Sequence, residues 1–193
     1  TETRTITVQE DPRVQFSDSD RAKRRKALST LTTMTHDADA ASRRITALNT
    51  ALTALTDSWK SPNAPAVPDS VKKAADDLIA KVKPVYAAFA NQGGGRGGGG
   101  GNAGPPPAYT PPPVTQKLNR LMNAIDGYAA APTARQLADI DEASAQLQKG
   151  ITDVNRLWDE VPAFNKVMTD AGVGYFTVNL SAVQTTPAGR GGN

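Results

Sequence analysis

Leu31, Ala38, Ile45, Leu52 and Trp59 recur at every seventh residue, and Met34, Ala41, Leu48 and Leu55 fill the position between them. A seam alternating three and four residues keeps one stripe of an α-helix turned toward a partner, and no strand pattern reproduces it. The segment carrying the seam runs from Asp18 to about Lys60. Ser17 or Asp18 can cap its start, and Asp18 and Asp20 suit the positive end of the helix dipole. Ser61-Pro62 and the prolines from Pro65 to Pro68 stop it. At ~1.5 Å rise per residue this is a rod of roughly 60 Å, which needs other helices along its length.

Those partners are legible. Val71, Ala75, Leu78, Val82, Val85 and Phe89 predict a second helix from Ser70 to about Ala90, kinked at Pro84 because the ring blocks one intrahelical bond. Leu118, Leu121, Met122 and Ile125 mark a third over Val114 to Ala129. Thr133 with Gln136 forms a capping-box signature for a fourth, with Leu137, Ile140, Leu147, Ile151, Val154 and Trp158 as its seam and Ser144 as the one small polar seam position. Pro162 predicts a fresh, angled start for Ala163 to Ala171, and Gly172 and Gly174 end the helical region. Between the second and third helices, residues 91–113 read NQGGGRGGGGGNAGPPPAYTPPP, a glycine spacer joined to a polyproline one. Thr3 to Val8 and Tyr175 to Val183 alternate as short strands do, and a single strand must find a partner, either each other or another chain.

The expected fold is therefore mainly α: a bundle of four long heptad-patterned helices, mostly antiparallel, with a Gly/Pro-rich loop and short terminal β-strands. Residues 1–16 form the strand and lead-in, 17–174 the bundle interrupted at 91–113, and 175–193 a strand and tail. Only 5% of residues are aromatic, so the core is aliphatic and Ala-rich, which favours close helices over a sandwich or barrel. No run of about 18 apolar residues is present to span a membrane. The chain opens at Thr1 without Met or a signal-type apolar segment, so we expect a processed product or a piece of something longer.

Chemistry is sparse. Without cysteine there is no disulfide, thiolate metal site or cysteine nucleophile, and this holds in a reducing cytosol or an exported protein alike. His36, the one histidine, has no His or Cys partner for a metal and reads as a solvated surface residue. Gly93 to Gly101 lacks the lysine and hydroxyl of a phosphate loop. The acids of the fourth helix, Asp139, Asp141, Glu142, Asp153, Asp159 and Glu160, fall between seam positions and read as a solvated or ion-paired face. Trp59 and Trp158 sit on seams near helix ends, as core caps or as partner-facing anchors. Asn179-Leu180-Ser181 matches a glycosylation sequon. No catalytic, metal or cofactor site is expected.

Arg21, Lys23, Arg24, Arg25 and Lys26 crowd the start of the first helix and form the candidate anion-binding cluster. No aromatic residues interleave with them for base stacking, and the net charge of +3 is modest, so nucleic acid is a poor fit. Thr5, Ile6, Thr7 and Val8, with Tyr175, Phe176 and Val178, are the candidate strand-addition residues.

The order of TITVQEDPRV, the long helix, a Gly-rich gap, KLNRLMNAIDGYAAAPTARQ and VPAFNKVM resembles the C-terminal helical region of exported bacterial proteins with a sortilin-like, Asp-box (BNR-type) β-propeller, often labelled glycosyl hydrolase-like. The correspondence rests on Leu118-Asn119-Arg120-Leu121, Ala131-Pro132-Thr133 and Val161-Pro162-Ala163-Phe164-Asn165, and covers roughly residues 5 to 170. No Asp-box repeat occurs here, so the propeller's ligand binding or hydrolysis does not carry over. The resemblance implies an exported bacterial setting, periplasmic, cell-surface or extracellular, and a role as accessory or assembly module. The expected function is non-enzymatic, with a protein partner or self-association and no small-molecule substrate. Self-assembly into a filament or surface layer through the terminal strands is one alternative, and anionic-polymer binding at residues 21–26 another.

Overall fold

A computed structural model describes residues 16–90 and 112–178. It contains four helices: α1 (Asp18–Ser58), α2 (Asp69–Phe89), α3 (Val114–Asp126) and α4 (Ala134–Asp170). The start signals act as expected. Ser17 accepts a hydrogen bond from the Asp20 amide, and Thr133 and Gln136 close a reciprocal capping box. Gly172, with φ of 70°, stops α4, while the Val173 amide reaches back to the Met168 carbonyl at 3.0 Å.

The helices share a core in a particular order. Arg24 near the start of α1 bonds the last carbonyls of α3, so these two helices run in opposite directions. Lys81 on α2 pairs with Glu160 on α4, and Phe89 meets Gly150, so α2 and α4 are also antiparallel. Further along α4, Glu142 pairs with Lys117 of α3. The α2 and α3 helices thus occupy successive stretches of one groove between α1 and α4. Their facing ends meet where the Thr115 hydroxyl donates to the Phe89 carbonyl at 3.4 Å. The result is three struts, α1, the tandem α2–α3, and α4, with the Gly/Pro tract leaving the middle strut at its joint.

The α1 seam is the spine of this core. Leu31, Ala38, Ala41, Ile45, Leu48 and Leu52 are fully buried, and Leu55 and Trp59 partly so. Each large aliphatic side chain buried this way contributes roughly 1.5–3 kcal/mol before entropy is subtracted. The α4 seam departs from expectation. Leu137 is 44% exposed, and Ala143 and Leu157 are buried where Ser144 and Trp158 were expected. This helix faces two struts, so its apolar stripe is wider and follows the 3.6-residue turn instead of a strict heptad.

Three expectations need correction. Pro162 does not open a new helix, because α4 continues from Ala134 to Asp170. The exposed ring removes one bond, while buried Val161, Phe164 and Met168 hold the turns on either side. The third helix ends at Asp126, three residues early, capped by Gly127. The C-terminal strand is absent over residues 175–178, and no strand occurs among the described residues to pair with it. Residues 179–183, the sequon at Asn179, the Thr3–Val8 segment and most of the Gly/Pro tract lie outside the described residues.

Candidate functional site

The basic cluster is divided by its surroundings. Arg21 stacks on the Phe16 ring, 5.1 Å from its centroid, and donates to the Phe16 carbonyl. Lys23 lies 3.6 Å from Asp20. Arg24 is committed to α3, where its guanidinium donates to the carbonyls of Ile125 (3.2 Å) and Asp126 (2.8 Å) and to the Asp126 carboxylate (2.7 Å). A cation on the terminal carbonyls of a helix neutralises the negative end of its dipole. Arg25 and Lys26 remain exposed. Of the five clustered cations, Lys23, Arg25 and Lys26 face water, and only Arg25 and Lys26 have no ion pair among the described residues.

Of the strand-addition candidates, Thr5, Ile6, Thr7 and Val8 lie outside the described residues, and Tyr175, Phe176 and Val178 lie within them. After the Gly172 turn the chain folds back along α4. Asn165, only 5% exposed, grips Phe176 with both amide atoms. Its Oδ1 accepts from the Phe176 amide and its Nδ2 donates to the Phe176 carbonyl, each at 2.7 Å. The Phe176 ring packs edge-on against Phe164, with centroids 5.7 Å apart. Tyr175 is 70% exposed, Thr177 is exposed and Val178 is partly covered. The segment is thus docked on α4 by the Phe176 side while Tyr175 and Thr177 face outward.

A buried polar site between α1 and α4 escaped the sequence reading. Arg44 is 5% exposed, its guanidinium lies 4.4 Å from the centroid of the Trp158 ring, and it donates to the Asn155 Oδ1 at 3.0 Å. Burial pushes the Arg44 pKa below its ordinary value, because the charged form loses hydration. The Arg44 Nε and Trp158 Nε1 donors are buried and find no acceptor. Asp37, seven residues before Arg44, is buried too. That repeat of a polar residue three places after a seam position (Met34, Ala41) was the available signal.

The remaining candidates are dispersed. His36 is exposed, 3.8 Å from the buried Asp37 carboxylate. The α4 acids are engaged along its surface, Asp139 with Arg135, Asp153 with Lys149, Glu142 with Lys117 and Glu160 with Lys81. A groove between α2 and α4 is lined by Pro84, Val85, Ala88 and Gly150 together with Lys81 and Arg156. Among the described residues no cluster of three or more His, Cys, Asp or Glu side chains is placed to hold a metal ion. No described helix is long and apolar enough to cross a membrane. Comparison of the chain with protein-family models, with curated proteins and with solved structures finds no match.

Proposed function

We propose that this chain is a non-enzymatic structural and interaction module, a stiff helical spacer that holds what adjoins Phe16 and what adjoins Val178 at opposite ends of one rod. The observation behind this reading is the parallel course of α1 and α4, joined at Arg44 and Asn155, with the tandem α2–α3 strut antiparallel to both. Phe16 precedes α1 at one end, and Phe176 is clamped near the far end of α4. The 37 residues of α4 set the span at about 55 Å. The setting, an accessory or assembly domain of an exported bacterial β-propeller protein, is a proposal that rests on the resemblance of Leu118–Leu121, Ala131–Thr133 and Val161–Asn165 alone.

Spin labels at Ser19 and Asp170 test the spacer. From the level of Arg44 beside Asn155, one narrow distance distribution at about 60 Å is expected. A broad distribution, or a much shorter mean, removes the mechanical basis of the reading. Association between copies is a second reading, favoured by the exposed Tyr175 and Thr177 on either side of the clamped Phe176.

A further inference from the structure

The Asn165 clamp leaves one side of a peptide edge closed and the other open. In an extended backbone the N–H and C=O of one residue point to one side, and those of its neighbours to the opposite side. Both main-chain groups of Phe176 point at Asn165. Across the trans peptide planes on either side, the Tyr175 carbonyl and the Thr177 amide therefore point away from α4, and no hydrogen bond among the described residues engages them. The buried Phe176 ring holds the segment in place, so its ordering cost is met before any partner arrives. A preordered open edge of this kind is a template for strand addition.

The chain holds a segment of matching character in Thr3–Val8, where Thr5 and Thr7 alternate with Ile6 and Val8. It cannot reach the edge in its own molecule. Arg24 lies beside the end of α3, which puts Phe16 at the opposite end of the rod from Asn165. From the pairing of Arg44 with Asn155, that separation is about 57 Å at 1.5 Å per helical residue. The ten residues from Ile6 to Phe16 span at most about 35 Å when fully extended. We propose that Gly174–Val178 accepts the Thr3–Val8 segment of a second copy of this chain, joining molecules head to tail. Ile6 and Val8 then lie beside Phe176 and Val178 on the covered face, and Thr5 and Thr7 beside Tyr175 and Thr177. Donor and acceptor are different surfaces, so the junction is heterologous and repeats from copy to copy.

This inference deepens the interaction-module reading and rests on it, but the two fail separately, since the spin-label distance within one molecule does not depend on association. Sedimentation of the full chain over a range of concentrations reads the junction. The wild-type chain is expected to form species larger than a dimer as concentration rises. Thr177→Pro removes an amide with no partner among the described residues and spoils only the acceptor. Ile6→Pro spoils only the donor. Each variant alone is expected to stay monomeric with unchanged helical circular dichroism, and an equal mixture to stop at dimers, one intact junction each. Hydrogen exchange at the Thr177 amide, slowing with wild-type concentration, reads the same contact without substitution. A wild-type chain that stays monomeric throughout, single variants that associate as the wild type does, or a Thr177 amide indifferent to concentration would each overturn the proposal.

Discussion

The Phe89 ring lies where a side chain on Gly150 would have to go: a β-carbon added at residue 150 stands 2.6 Å from the ring's Cζ and 2.8 Å from Cε2. Phe89 is fully buried at the end of α2, beside the joint with α3, so the ring has little room to withdraw. Helix propensity alone favours alanine over glycine by about 1 kcal/mol, but overpacking costs about 1–3 kcal/mol. Gly150→Ala is expected to destabilise the chain by up to about 2 kcal/mol in urea unfolding. Pairing it with Phe89→Leu should restore part of the loss, a non-additivity expected only of residues in contact.

Asn165→Ala removes two hydrogen bonds and leaves the Phe176 amide and carbonyl without partners. A loss of about 2–3 kcal/mol is expected, with the Phe176 amide exchanging much faster in hydrogen-exchange measurements. Asn165→Asp should recover stability as pH falls. The carboxylate faces the Phe176 carbonyl, which raises its folded pKa, and only the protonated acid can donate.

Arg44 combines an unsatisfied Nε with a buried charge. Replacing it with a flexible apolar side chain of similar length removes the desolvation cost and keeps contact with the Trp158 ring. Arg44→Met is therefore expected to lie within about 1 kcal/mol of the wild type or above it, whereas Arg44→Ala loses about 2–4 kcal/mol with the packing. The lowered folded pKa means that the unfolded chain holds this proton more tightly. Its penalty is constant through neutral pH and relaxes only in the alkaline range, so the difference between Arg44→Met and the wild type should be flat from about pH 5 to 9 in thermal unfolding.

Arg24→Ala should loosen the end of α3 at a cost of about 1 kcal/mol, seen as faster amide exchange near Ile125. Arg25→Ala and Lys26→Ala, at exposed positions, should leave stability within about 0.5 kcal/mol.

The long seam from Leu31 to Leu52 and the caps at Ser17 and Thr133 were legible because each depends on residues within a few turns of one another. The tandem strut was not. It requires that α2 and α3 together match α4, a sum that no local pattern carries. Pro162 misled for a related reason, since its local effect is outweighed by Val161 and Phe164 packing against distant helices. Of the candidate residues, position in sequence gave Arg24 and Arg25 the same reading, and only the placement of the α3 carbonyls separates them. Nothing near Asn165 announced a clamp, because its partner, Phe176, lies beyond a turn whose direction is set by Gly172.

The Thr115 hydroxyl joins α3 directly to the Phe89 end of α2. The register of α2 is fixed by α1 and α4, and so is that of α3, so neither helix takes its position from the residues connecting them. The number of residues between Gly93 and Gly101 is then a free variable for the fold. Insertions there, up to an entire guest domain with neighbouring termini, should leave the rod's length and core unchanged and would give the molecule a side arm at mid-height.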